Sequence, residues 1–154
     1  MTTRHELIYK IRYAVRLTQR TARLYRRVQT AGTFFSILGG SATLSLLSQS
    51  FPDWVGLAGA ALLSVSGASL IAIRPADKAA QNEADMRRYL SLASKAHQLD
   101  DVALAVAIEE AHQSDCQEVE PLRDVAYNDV VAEYGREDAQ VKLSPIQTII
   151  AVIA

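Results

Sequence analysis

The chain has 154 residues, a formal net charge of -1, a mean hydropathy of +0.05 and one cysteine. That length holds one domain, or a membrane hairpin with a small soluble lobe. A single thiol, Cys116, excludes an intrachain disulfide, and nothing in the composition points to an oxidising compartment.

The near-zero charge hides an asymmetry. Up to Gln29 there are eight basic residues against Glu6, and from Ala96 onward twelve acids against Arg123, Arg136 and Lys142. The ends therefore carry +7 and -9. A split of this kind predicts either that the ends pair or that each has its own partner.

In chain order, residues 4–29 read as a helix. Ile8, Ile11, Val15, Thr18, Ala22 and Tyr25 recur at three- and four-residue spacing and build one face. Arg12, Arg16, Arg20, Arg23 and Arg27 form a basic stripe beside it. Such a stripe pairs with the acidic half of the chain or binds anionic lipid headgroups. Nucleic acid is not an expected partner, because Tyr9, Tyr13 and Tyr25 are not arranged for stacking. No proline or paired glycine interrupts residues 23–33, so the helix is expected to run on into the apolar segment that follows.

Between Val28 and Ile73 the only charged side chain is Asp53. Stretches of about 20 apolar and small residues lie on either side, enough for a helix to cross ~30 Å of hydrocarbon. The reading is two membrane spans, 28–47 and 54–73, joined by a polar turn at 48–53 with Phe51 and Trp54 as interfacial anchors. A long basic region and a second apolar run make a signal peptide a poor match. Small residues recur at fourfold spacing: Gly32, Ser36 and Gly40 in the first span, with Gly39 and Thr43 as a parallel row, and Gly56, Ala60, Ser64 and Ala68 in the second. Rows of this kind let backbones approach closely, and the second is the expected seam, within the hairpin or between copies. The hydroxyls Thr30, Thr33, Ser36, Ser41, Thr43, Ser45, Ser48, Ser64, Ser66 and Ser69, with the Gln49 amide, either line a water path or hold helices together.

Arg74 and Pro75 end the second span. Residues 76–98 read as helix. Asp100-Asp101 cap a helix over 102–113, with Val102, Ala105, Val106 and Glu109 on one side. Ser114–Glu120 is a polar joint. Pro121–Tyr134 is a further helix with Pro121 in its first turn, Gly135 as its stop, and Leu122, Val125, Ala126, Val130 and Tyr134 as its apolar face. Ser144–Ala154 is apolar but too short to span, so it lies on a membrane surface or packs in the lobe. The expected organisation is a basic helix 1–27, a hairpin 28–73, a helical region 74–143 and a tail 144–154. Basic residues flank the outer ends of both spans and none lies in the turn, which predicts a multi-pass protein of the cell inner membrane with both termini cytoplasmic.

The chemistry-bearing residues are sparse. Asp100-Asp101 and Glu109-Glu110 are adjacent in helices, so their side chains point about 100° apart and do not converge on one proton. Glu109, His112 and Cys116 make half a zinc site with no second pair to complete it. There is no phosphate loop, dinucleotide motif or serine elbow. No catalytic, cofactor-binding or metal-ligating residue is assigned, and an enzyme is not expected.

The layout as a whole is similar to that of the SLATT proteins, two-span effector domains of bacteria. The likeness rests on the hairpin Val28–Ile73, Arg74-Pro75, the helix with Met86-Arg87-Arg88-Tyr89-Leu90, and the late helix with Leu122-Arg123-Asp124-Val125-Ala126-Tyr127-Asn128. It implies an all-α protein whose two-helix transmembrane hairpin carries long helical extensions and a small cytoplasmic helical bundle. It further implies a homo-oligomeric, pore-forming effector of antiviral defence acting on membrane lipid. No sensor domain is recognisable, so the trigger would be a separate sensor protein or a small nucleotide. Three alternatives stand beside this reading: a non-pore membrane scaffold or regulatory subunit anchoring a cytoplasmic partner, a phage-type lysis protein, and a soluble protein with a buried hairpin.

Overall fold

The computed structural model describes residues 3–48, 52–116 and 118–154. Every regular element among them is helical. Six α-helices follow in order: α1 Arg4–Ser48, α2 Asp53–Ile73, α3 Pro75–Lys95, α4 Asp101–Gln113, α5 Leu122–Glu133 and α6 Pro145–Ile153. Single 3-10 turns at Ala96–Gln98 and Glu137–Ala139 complete them. The chain divides into two units, one of residues up to Leu24 with Lys78–Ala154, the other Tyr25–Asp77.

The expected continuity of the first helix is found: α1 is 45 residues without a break. The expected break after the second apolar run is also found. Arg74 adopts the left-handed conformation (φ 51°), its N–H capping α2 on the carbonyl of Leu70 at 3.1 Å. Pro75 then starts α3, since a proline N cannot serve as a helical donor and is tolerated in a first turn. The expected turn lies partly outside the described residues, at 49–51, and so do the side chains of 45–47 at the end of the first expected span.

In the unit Tyr25–Asp77, the later part of α1 and α2 run antiparallel in contact. Gly32 meets Leu70, Ser36 meets Ser66, Gly39 meets Leu63, and Thr43 meets Gly59. Each advance along α1 matches an equal retreat along α2. The outward sides are apolar and uncovered: Phe34, Ile37 and Leu44 on α1, and Trp54, Leu57, Val65 and Ile71 on α2, are all more than half exposed. Among the described residues one helical stretch, beginning at Asp53, is long and apolar enough to cross a membrane, and only 17% of its most apolar part is buried.

The other unit has two apolar clusters. The first gathers Leu7 and Ile11 of α1, Tyr89 of α3, and Leu104 and Ala111 of α4. The second joins Leu17 to Leu122, Val125 and Ala126 of α5 and to Ala154. The side chain of Asp100 caps α4 by accepting from Ala103 N at 2.7 Å, as expected. The expected face of α4 is corrected in part. Val102 is 75% exposed and Val106 53%, whereas Ala105 packs inward together with Leu104, Ile108 and Ala111. The expected face of α5 holds for Leu122, Val125, Ala126 and Val130, with Val131 added. Pro121 takes the cap position, one residue earlier than expected, and Gly135 (φ 68°) ends the segment in a conformation that suits glycine. The tail folds as α6 behind a Ser144–Gln147 capping box and packs Ile150 and Ala151 on the second cluster.

Candidate functional site

Three arrangements could carry function: the basic stripe, the α1–α2 seam and a cavity.

The first three arginines of the stripe meet α5. Arg12 and Arg16 both reach Glu133, at 3.2 and 3.0 Å. Arg20 grips Asp129 with two parallel bonds, Nε to Oδ2 at 2.8 Å and Nη2 to Oδ1 at 2.9 Å, and its Nη1 donates to the carbonyl of Ala151 in α6 at 2.9 Å. One guanidinium therefore ties α1 to two acid-half helices, a use that its planar fork suits. Arg4 adds a pair with Asp101 at 2.8 Å. Arg23 is exposed, and Arg27 belongs to the other unit. Beside these pairs the Arg12 guanidinium stands 5.1 Å over the Tyr134 ring, and Tyr9 packs between Tyr127 and Tyr134. Burial pushes the Tyr9 hydroxyl above its ordinary pKa, and it is left without a hydrogen-bond partner. The Ala126-Tyr127-Asn128 segment is structural: Ala126 is fully buried, and the Asn128 carboxamide both donates to and accepts from the Val141 backbone, each at 2.8 Å.

The seam differs from the row expected. Gly32, Ser36 and Gly56 lie on it. Gly40 does not make the close approach: a Cβ there would lie 4.0 Å from its nearest neighbour, against 2.7 Å for one on Gly39 beside the carbonyl of Gly59. On α2 the buried positions are Gly56, Gly59 and Ser66, while Ser64 and Ala68 are exposed and Ala60 half-buried. A four-residue step advances 400° around a helix, so a strict fourfold row drifts by about 40° per step and leaves the contact face. The seam instead alternates steps of three and four, through 56, 59, 63, 66 and 70, which keeps it facing a partner helix. Five of the unit's hydroxyls are satisfied within their own helix. Thr30, Ser41, Thr43, Ser64 and Ser66 each donate to the carbonyl four residues back, at 2.7–3.0 Å, and Ser66 also bonds Ser36 at 2.8 Å.

Glu109, His112 and Cys116 line a common cavity with Tyr89 and Asp115. The Tyr89 hydroxyl donates to Asp115, whose same oxygen stands 3.3 Å from His112 Nδ1. Burial raises the pKa of the Asp115 carboxyl against the pull of these two partners. Burial likewise raises the Cys116 thiol, helped by Asp85, which accepts the Cys116 N–H at 3.0 Å. A thiol held protonated is a poor nucleophile. Among the described residues no three His, Cys, Asp or Glu side chains come together as metal ligands. Sequence reasoning missed Asp85, Tyr89 and Asp115 as a cluster, because their link spans 26 or more residues of chain and leaves no local pattern.

No protein-family model, curated protein or solved structure gives a significant match to this chain. The class these features define is an all-helical protein with, among the described residues, one helix long and apolar enough to cross a membrane.

Proposed function

We propose that this chain is an integral membrane effector. The apolar helices of residues 28–73 form a hairpin embedded in the inner membrane, several copies associate, and the assembly permeabilises the bilayer when the lobe is triggered. The observation that carries the reading is the helical stretch from Asp53, apolar and scarcely buried, with a band of exposed Phe, Leu, Val and Ile on both helices. Such an area in water would be an aggregation liability, and in lipid it is the ordinary surface. In this reading the Arg20–Asp129 and Arg12/Arg16–Glu133 pairs hold the resting state. Two helices with a closed glycine seam leave no water path, so a pore needs several copies. Expression in cells with a membrane-impermeant dye tests this: influx that rises when the pairs are broken supports it. Recovery of the chain in an alkaline-carbonate soluble fraction would refute the embedding itself.

One observation favours a second reading, a non-pore scaffold or regulatory subunit. The hydroxyls of Thr30, Ser41, Thr43, Ser64 and Ser66 are already bonded within their helices and offer water no continuous polar stripe. Tight carbonate-resistant insertion with no dye influx in any variant would select it.

A further inference from the structure

Helix α6 is apolar on both of its sides. Ile150 and Ala151 pack on the second apolar cluster, which includes Leu17 and Leu24 of α1. The other side is uncovered: Ile146 is 66% exposed, Ile149 61%, Val152 77% and Ile153 40%. From Ser144 to Ala154 there is no charged side chain. The acids that touch this corner of the lobe are bonded within it. Asp124 accepts from Gln147 Nε2 at 2.7 Å, and Asp129 is held by Arg20 at 2.8 Å. Arg23, the stripe residue after Arg20, is exposed and lines a surface hollow with Arg20 and Asp129.

Two observations bear on what covers the outer face. The first is its tether. Arg20 donates to the Ala151 carbonyl at 2.9 Å, and Leu24 shares a cluster with Ile150, Ala151 and Ala154. Leu24 stands four residues before Val28, where the apolar segment begins. However the two units are disposed, four residues of chain reach at most ~14 Å. The inner side of α6 is thus anchored close to the point where the proposed hairpin would leave the bilayer. The second observation is size. A helix of nine residues is ~13.5 Å long and ~10 Å wide, so one face falls far short of the ~800 Å² per partner of a stable protein interface. A bilayer already held by the hairpin asks for no such area, because the face is delivered to it within the same molecule.

We propose that the outer face of α6 docks on the headgroup–acyl boundary of the membrane that holds the hairpin. Ile146, Ile149, Val152 and Ile153 enter the boundary, and Arg23 meets the phosphates of anionic lipid. Cation and apolar face then act together, as in other interfacial helices. The inference rests on the embedding of residues 28–73 proposed above, and it stands whether the hairpin forms a pore or only an anchor.

The experiment uses the full chain in vesicles of phosphatidylethanolamine and phosphatidylglycerol, part of the lipid carrying a nitroxide just below the headgroup. Trp54 is the only tryptophan and reports the hairpin in the parent chain. The lobe is read by Val152→Trp in a Trp54→Phe background. Val102→Trp in the same background is the comparison, since Val102 is 75% exposed and adjoins Asp101, which pairs with Arg4 at the start of α1. The indole of Val152→Trp should be quenched about twofold or more and its emission shifted to the blue, as suits the ~5–10 Å depth of an interfacial helix, and that of Val102→Trp should not. Ile146→Ser with Ile149→Ser, both on the outer face, should remove most of that quenching without changing the helical circular dichroism. A quenched Trp54 with an unquenched Val152→Trp indole overturns this proposal and leaves the embedded hairpin standing, whereas an unquenched Trp54 overturns both. Blue-shifted emission that resists the nitroxide lipid and grows with protein density would assign the face to a second copy and overturn lipid docking. Equal quenching of the Val152→Trp and Val102→Trp indoles would overturn the choice of face.

Discussion

Arg20 allows the pairing of the two charged halves to be measured. Its side chain is 22% exposed and that of Asp129 28%. That places the pair between exposed ion pairs, worth about 0–1 kcal/mol, and buried ones, where losing one partner costs about 3–5 kcal/mol. Two short parallel bonds favour the upper half of the gap, so a coupling energy of about 2 kcal/mol is expected from a cycle of Arg20→Met, Asp129→Ala and the double variant. Arg20→Met should lose about 1 kcal/mol more than Asp129→Ala, because it also gives up the bond to the Ala151 carbonyl. Arg20→Lys should not restore the loss, since an ammonium cannot make the fork. For a unit of this size, 2 kcal/mol lowers Tm by about 10 °C. The exposed Arg23→Met should stay within about 0.5 kcal/mol of the parent. The assay is thermal unfolding of the full chain in mild detergent, followed by helical circular dichroism at low and high salt. Partial burial should preserve most of the coupling at high salt. A coupling below about 0.5 kcal/mol, or equal losses for Arg20→Met and Arg23→Met, would refute the argument that this pair docks α5 and α6.

Three further outcomes are expected. Gly39→Ala and Gly59→Ala would put a Cβ within 2.7 Å of facing backbone and should cost about 1–3 kcal/mol and slow disulfide formation between Ser36→Cys and Ser66→Cys; Gly67→Ala, with nothing within 4 Å, should be neutral or gain up to about 1 kcal/mol, and equal crosslinking in all three would remove the seam. Because burial raises the Asp115 pKa in the folded state, its contribution to stability is present below the unfolded carboxylate range and is lost as pH rises through the folded value. The Tm gain from Asp115→Asn should therefore be positive at pH 7.5 and shrink steadily toward pH 4.5, and a gain independent of pH would contradict the burial argument. In the proposed topology Cys116 is cytoplasmic, so an impermeant maleimide should label it only after the inner membrane is opened, and labelling of intact spheroplasts would reverse the orientation.

Features encoded by neighbouring residues were legible in the sequence. The uninterrupted run into the apolar segment, the break at Arg74-Pro75, the Asp100 cap and the Gly135 stop each follow from one or two side chains acting on the adjacent backbone. The inner face of α4 was not. A stripe through Val102 and Val106 and the true set Leu104, Ala105, Ile108 and Ala111 are both acceptable apolar faces on one short helix. Only the position of Leu7, Ile11 and Tyr89, distant in sequence, decides between them. The same holds for the link from Tyr89 in α3 to Asp115 beyond α4, 26 residues apart in the chain.

The glycine seam shows the same limit on a longer scale. Gly56, Ala60, Ser64 and Ala68 satisfy the rule that small residues let helices approach, yet a row of four-residue steps turns about 120° between its first and last member. A second helix can follow it only by crossing steeply. The pair here stays in contact from Gly32–Leu70 to Thr43–Gly59, which requires the shallow crossing that alternating steps of three and four provide. Gly39 and Gly59 then fall where the backbones are nearest, and Leu63 and Leu70 flank them as the larger fillers. Within the pair, Ser64 and Ala68 are consequently free of helix contact and exposed among apolar neighbours. If copies of this chain associate in lipid, that outward row is where a second backbone could come close. Ala68→Leu should then weaken a crosslinked oligomer while leaving the Ser36→Cys, Ser66→Cys disulfide intact. Loss of both together would mean that the row supports the pair itself.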